Sequence, residues 1–374
     1  MPGWNHTSSA QRVVFGAGTA DSIAAVLKDA GGRRAMLVTS ERALAGNDGQ
    51  RLVKRLGRSL VSTFSGSEPH VPASALQAAL RQAHGDGIDS LVSFGGGSSI
   101  DLAKGVAYFT EQEAGTPGVS FIDRPVLAHV AVPTTYTGTS CTATFSVTDP
   151  RTRSKTGAGS STTAPIAVII DSKLTLDTPV RLSVESAVGA LGQCVETMWA
   201  THRTPEAEAL AAAGAARLAG AIGLLVDDPG DSAVRDALAV GAVLAGRAMQ
   251  NSSLGALLGL AQLLGGRTGI GHGLAMAVLL PHVMTFNREV TPAELTQFGL
   301  AIGDPDDPIG AIVRLLEQLE LPMQLDACGV SLDDLEAVAR MAPGNPLVQR
   351  NPRPMTEADA HGLLEAAWWG VSTE

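Results

Sequence analysis

The sequence predicts an α/β domain with a doubly wound parallel sheet over residues 1–178, followed by an all-α domain over residues 179–374. Three observations predict it. From residue 12 to about 178, short apolar segments alternate with helix-like ones, the order that βαβ units produce. After Pro179 the strand-like segments stop and long Ala/Leu-rich segments take over. The 374 residues are 45% hydrophobic and 17% charged with 42 glycines, which gives enough apolar material for real cores and argues against disorder.

Taken in order, "RVVFGAG" (12–18) reads as a strand and a turn, and "AMLVTS" (35–40) as a strand. "SALQAALRQAHGDG" (74–87) has helical periodicity and stops at glycine. "SLVSF" (90–94) is a strand that runs into Gly95, Gly96 and Gly97, and "SIDLAKGVAYF" (99–109) is the helix after them. "LAHVAVPTT" (127–135) and "PIAVIID" (165–171) supply two further strands. In the second half, "VGALGQCVET" (188–197) opens a helical series that continues over 206–226, 232–249 and 253–266. Further helices are predicted near 273–286, 292–302, 308–319, 331–341 and 356–369. Small residues recur there at helix-packing spacings, and no internal repeat or low-complexity tract interrupts them.

Several function classes are disfavoured at this level. The net charge of −10, with no Lys/Arg cluster interleaved with aromatics, speaks against nucleic acid and acidic membranes. Cys141, Cys194 and Cys328 are far apart and form no CxxC, as expected of a reduced cytoplasmic protein. "MPGWNHTSSAQRVVFGAG" shows neither a basic nor an apolar leader segment. The apolar run "GLAMAVLLPHV" (273–283) is too short to span a bilayer.

The chemistry concentrates in a few stretches. In "SFGGGSSIDLAK" (93–104) a strand delivers three glycines, then Ser98, then a helix with Asp101 in its first turn. Glycines let a backbone approach a phosphate, and free N–H groups at a helix start bind its charge. The same glycines also suit a plain strand-to-helix turn, so both readings stand. In "VPTTYTGTSCT" (132–142), Thr134, Thr135, Thr137, Thr139 and Ser140 make either a ligand-lining loop or an ordinary polar one. Ser40 ends the second strand, where nucleotide-binding sheets usually place an acid for the ribose 2′-hydroxyl, which leaves both NADH and NADPH open. His272, between Gly271 and Gly273, has a bare backbone around it that admits a ligand, whereas His282 lies in an apolar helix and reads as a satisfied core or cap residue.

Together these stretches resemble the iron-containing alcohol dehydrogenase family, and within it the maleylacetate reductase branch. "FGGGSSIDLAK" is similar to the family's GGGSxxDxAK, "VPTTYTGTS" to its PTTYAGSE-like loop, and "GHGLAMAVLLPH" to PHGxxxAxxLPH. "KTG" (155–157) and "IIDSKLTLDTP" (169–179) match the segment that closes the first domain, while "EPHVP" (68–72) and "NPRPMT" (351–356) point to the branch. The resemblance implies a dehydroquinate synthase-like fold, an NAD(P)-binding first domain and a catalytic cleft between the domains. It implies that Gly95, Gly96, Gly97 and Ser98 hold the pyrophosphate, and that Ser40, Asp101, Thr134, Thr135, Thr139 and Lys155 line the cofactor site.

Family members of the alcohol dehydrogenase type hold a divalent metal with one Asp and three His. Those stations fall here on Gly189, Gln193, Gln262 in "LAQLLGG", and His272, of which only the last matches. The expectation is therefore a metal-independent reductase, since one imidazole and two amides ligate iron or zinc poorly. It would use NADH or NADPH on a small carboxylated carbonyl or enoate. His272 would donate the proton, Gln193 and Gln262 would orient the substrate, and Arg267 and Arg353 would meet its carboxylates. A cytoplasmic homodimer is implied. Two alternatives stay open: a repurposed lyase, isomerase or cyclase on this fold, and a catalytically silent binding protein.

Overall fold

The computed structural model describes residues 4, 6, 10–115 and 125–370, so most of the N-terminal stretch read for a leader lies outside the described residues. Two units form, residues 7–178 and residues 179–374. His6 belongs with the second unit, where it meets Thr204 Oγ1 at 3.0 Å and Glu206 at 3.1 Å.

The first unit runs β1 (Arg12–Phe15), α1 (Ile23–Asp29), β2 (Ala35–Val38), α2 (Glu41–Ala45), α3 (Asn47–Leu56), β3 (Leu60–Phe64), α4 (Ala73–Asp86), β4 (Ser90–Gly95), α5 (Gly97–Glu113), β5 (Ala128–Pro133), β6 (Thr144–Asp149), β7 (Ser154–Gly159) and β8 (Ala167–Ile170). The main sheet is parallel in the order β1-β8-β5-β4-β2-β3, and β6 and β7 form a separate antiparallel ribbon. Alternation along each strand fills both faces. Ala35, Leu37, Val92 and Phe94 pack with α1 and α3 residues such as Val26 and Leu52, whereas Met36, Val38 and Leu91 pack with Leu76, Leu102 and Val106 of α4 and α5. Burial on two faces is why these strands read as continuous apolar runs. Helix α4 ends at Gly87, whose φ of +58° is the left-handed cap a glycine supplies readily.

The strand order reverses between β2 and β4: β3 lies outside β2, and the chain then returns to the other side of it. In an open α/β sheet, the crevice beyond the carboxyl ends of the strands at such a switch point is where ligands bind. The loop after β2 begins with Thr39 and Ser40, and β4 ends in the glycines.

The second unit is helical among the described residues: α6 (Val180–Trp199), α7 (Pro205–Asp227), α8 (Ser232–Gln250), α9 (Ala256–Thr268), α10 (His272–Asn287), α11 (Pro292–Ile302), α12 (Pro308–Gln318), α13 (Leu332–Met341) and α14 (Glu357–Trp369). Helix α6 is buried along nearly all its length and packs on α7, α8, α9 and α10. One helix exceeds the apolar length expected from the sequence. Over an 18-residue window α7 has a mean hydropathy of 1.8, long and apolar enough by composition to cross a bilayer, with 39% of that window buried.

Candidate functional site

The first unit builds a cradle of bare backbone at the switch point. Gly95 closes β4 with φ +137°, and a Cβ there would approach Ser99 Oγ to 2.8 Å. Gly96 caps α5 without a side chain: Ser99 N and Ile100 N turn back to Gly96 O at 3.1 and 3.4 Å, and the N–H groups of Gly97 and Ser98 have no capping side chain. Half-buried Ser98 lies in that turn. The threonine loop is laid against the glycines: Thr134 N donates to Gly95 O at 2.9 Å, and a Cβ on Gly96 or Gly97 would stand 3.4 Å from Thr135 Cγ2 or Thr137 Oγ1. Thr178 Oγ1 in turn donates to Thr134 O at 2.8 Å. A bare, positively poled helix end with hydroxyls around it fits a bound diphosphate.

Two predicted contact residues have structural work in this loop. Thr139 Oγ1 donates to Asp101 Oδ1 at 2.6 Å, and Asp101 Oδ2 accepts from Ser146 N at 3.3 Å. Lys104 knots them together, donating to Thr139 O (2.5 Å), Thr139 Oγ1 (2.7 Å), Thr142 Oγ1 (3.2 Å) and Thr144 O (2.8 Å). Burial lowers the Lys104 amine to about 8, against the pull of Asp101 3.6 Å away. Asp101 and Thr139 thus hold the loop from behind. Lys155, half-buried on β7, also has its pKa lowered by desolvation, with Asp101 opposing. Ser40 Oγ caps α2 by accepting from Ala43 N at 3.2 Å. Its neighbour Thr39, which the sequence reading did not single out, is wholly buried with a hydroxyl that has no hydrogen-bond partner among the described residues.

The second unit brings the four stations onto three packed helices, Gly189 and Gln193 on α6, Gln262 on α9 and His272 at the start of α10. Gly273 lets α10 touch α6: a Cβ there would overlap the Glu185 carbonyl oxygen and lie 2.7 Å from its carbon. Gly189 faces the same spot, since its Cβ would stand 3.6 Å from Gly273 Cα. Gln193 is buried, and its Oε1 has no hydrogen-bond partner among the described residues. Gln262 and His272 are half-buried.

Among the described residues no three His, Cys, Asp or Glu side chains group as a metal-binding set. The stations offer a hydrogen, two amides and one imidazole, which does not fit a catalytic divalent cation.

The arginines assigned to substrate carboxylates have other partners. Arg267 Nε donates to Asp334 Oδ1 of α13 at 2.8 Å. Arg353 lies over the Phe286 ring, 4.2 Å from its centroid, and donates to Phe286 O at 3.0 Å. His282 is not the satisfied residue expected: its Nε2 is buried without a hydrogen-bond partner among the described residues, and desolvation lowers the ring to about 4.

Comparisons with known proteins match this architecture along almost the whole chain. The family model for iron-containing alcohol dehydrogenase matches residues 10–172, and that for the Fe-containing alcohol dehydrogenase family C-terminal region matches 183–368. Maleylacetate reductase of Burkholderia cepacia is 31% identical over 360 residues, 96% of each chain, and maleylacetate reductase 1 of Rhodococcus opacus is 30% identical over 364 residues, 97% of this chain and 96% of that one. The crystal structure of maleylacetate reductase from Agrobacterium tumefaciens superposes with a TM-score of 0.86 at 28% identity, covering 99% of both chains. The chain belongs to the iron-containing alcohol dehydrogenase family and is an NAD(P)H-dependent oxidoreductase.

Proposed function

We propose that the protein is a metal-independent reductase of a small carboxylated carbonyl or enoate, with maleylacetate as the type substrate. What carries the metal-independent reading is the donor set on α6, α9 and α10: a single imidazole stands where four ligands would be needed, and an amide oxygen of Gln193 is buried without a hydrogen-bond partner among the described residues. The names of the curated relatives carry the substrate class.

Bound NAD(P)H supplies the hydride. The Gly95–Gly97 backbone and the uncapped start of α5 bind its diphosphate, and the Lys104 knot keeps the threonine loop in place around it. His272 hands a proton to the oxygen on which negative charge develops, the charge-stabilising task a metal performs elsewhere. Gln193 and Gln262 orient the substrate by hydrogen bonds. Under this reading the enzyme works in the cytoplasm as a homodimer, on a small molecule and without nucleic acid or membrane, in keeping with its net charge of −10.

The deciding experiment titrates NADH and NADPH into purified protein by tryptophan fluorescence, with elemental analysis of the same sample and loss of NADH absorbance on adding maleylacetate. Cofactor binding, no stoichiometric iron or zinc, and turnover lost in His272→Ala support the proposal. A full equivalent of metal refutes metal independence. Cofactor binding without turnover of any carboxylated carbonyl or enoate refutes the reductase and leaves a non-redox enzyme.

A further inference from the structure

The motif "NPRP" and one acidic residue of α6 remain outside the mechanism. Glu196 is wholly buried, and its carboxylate accepts Gly255 N at 3.2 Å, Leu257 N at 2.8 Å and Leu258 N at 3.1 Å. Those are N–H groups of the first turn of α9 and its cap. The remaining one, Ala256 N, donates to Asn351 Oδ1 at 3.2 Å. Asn351 is itself locked: its Nδ2 donates to Asn287 Oδ1 at 2.7 Å and to Arg353 O at 2.7 Å, and its Oδ1 accepts from Asn287 Nδ2 at 3.1 Å. Arg353 completes the chain by binding Phe286 O.

Thus α9 is capped from a distance. Its own cap residue, Gly255, has no side chain, and a Cβ there would come within 2.8 Å of Asn351 Oδ1 and 3.2 Å of Glu196 Oε1. A helix start is ordinarily closed by a Ser, Thr, Asn or Asp at the cap itself, at little desolvation cost. Here a carboxylate is buried instead, and burial pushes it up to about 7 against the pull of its three N–H donors. Such a cap ties two helices together as well as closing one. The tie lies one turn from both candidate substrate amides. Gln193 precedes Glu196 by three residues on α6, and Gln262 follows Leu258 by four on α9, the spacings that share a helix face.

We propose that Glu196 is a positioning residue which, with Asn351, fixes the start of α9 against α6 and so sets the placement of Gln262 relative to Gln193. This rests on the reductase reading of those two amides. Arg353, read from the sequence as a substrate ligand, becomes part of the clamp.

The test is a double-mutant cycle of Glu196→Gln and Gln262→Ala in the full-length enzyme, read as kcat/KM for maleylacetate and as the NADH dissociation constant. The amide keeps one acceptor and turns an NH2 toward backbone donors, so the cap weakens without a change of volume. Glu196→Gln is expected to lower kcat/KM by about tenfold or more, since small misplacements near the reacting groups are costly. NADH affinity should change by less than about twofold, and in the Gln262→Ala background Glu196→Gln should cost less than about twofold further. Full additivity with Gln262→Ala, a parallel loss of NADH affinity, or an unchanged kcat/KM overturns the proposal.

Hydrogen exchange separates this failure from that of the reductase reading. If the wild type binds NADH but reduces no carboxylated substrate, the reductase reading falls. Faster exchange in Glu196→Gln over residues 255–262 together with 189–193 then upholds the clamp, and unchanged exchange there overturns it.

Discussion

Two glycines that touch each other carry opposite expectations, and together they test whether the approach of α6 and α10 defines the site. At Gly273 an added Cβ would overlap the Glu185 carbonyl oxygen and sit 2.7 Å from the carbonyl carbon and 3.2 Å from Glu185 Cβ. Backbone cannot rotate out of the way, so in Gly273→Ala the first turn of α10 must move by roughly 1 Å, at an overpacking cost of about 1–3 kcal/mol. At Gly189 the added Cβ finds its nearest atom, Gly273 Cα, at 3.6 Å, an ordinary contact. Gly189→Ala therefore keeps the helix-propensity gain of about 1 kcal/mol without a clash. For a unit of this size the expected melting shifts are a fall of roughly 2–12 °C for Gly273→Ala and a rise of roughly 2–4 °C for Gly189→Ala. His272 immediately precedes Gly273, so Gly273→Ala should also cost roughly ten- to a hundredfold in kcat/KM. NADH affinity should hold in both variants. Calorimetry and NADH-linked turnover read all of this. A Gly273→Ala enzyme with wild-type melting and rate, or a Gly189→Ala protein destabilised as much as Gly273→Ala, refutes the close-approach argument.

His129 lies wholly buried beside Ser93, with Nε2 2.7 Å from Ser93 Oγ, and burial lowers it from 6.5 to about 3, with Lys104 adding to the effect. Its folded-state pKa is depressed, so the stability it contributes is complete above pH 6.5 and is lost as pH falls toward 3, about 5 kcal/mol over that window. Urea unfolding at pH 7, 5 and 4 should show a shallower acid loss in His129→Gln than in wild type, and an unchanged slope removes His129 from the acid response. The triple change Gly189→Asp, Gln193→His and Gln262→His restores one carboxylate and three imidazoles with His272, and should let the protein acquire iron or zinc by elemental analysis. A metal-free triple variant would show that the four stations do not converge.

The glycine cradle was legible because each of its parts is local. An apolar strand, three glycines and a helix with an early Asp occupy consecutive positions, and the structure folds that order directly into β4, Gly95–Gly97 and α5. Helix α4 was legible for the same reason, with its stop at Gly87 written beside it. Strand β3 and the β6–β7 ribbon are not legible in the sequence, since "LVSTF" and "TFSVTD" mix hydroxyl with apolar residues and only half bury. Ser and Thr then read as loop when they stand on a strand. The burial of Lys104 is not legible because lysine is seldom buried, and only its four oxygen partners, 35 to 40 residues further on, explain how it can be.

The residues whose partners the sequence hides share one physical cause. Arg267 and Arg353 looked available for a substrate because their partners, Asp334 and Phe286, lie 67 residues away in sequence. Glu196 carries no local signal of its burial, because the donors that require it begin 59 residues later. Sequence rules for helix ends assume that the cap is the neighbouring residue, and α9 breaks that assumption by opening on Gly255. A glycine at a helix start with no polar residue to close it is itself a signal: four N–H groups must be met by something distant, and a lone acid on a neighbouring apolar helix is the natural candidate. In this chain that reasoning leads from Gly255 to Glu196, and from there to the two amides one turn away whose placement the cap controls.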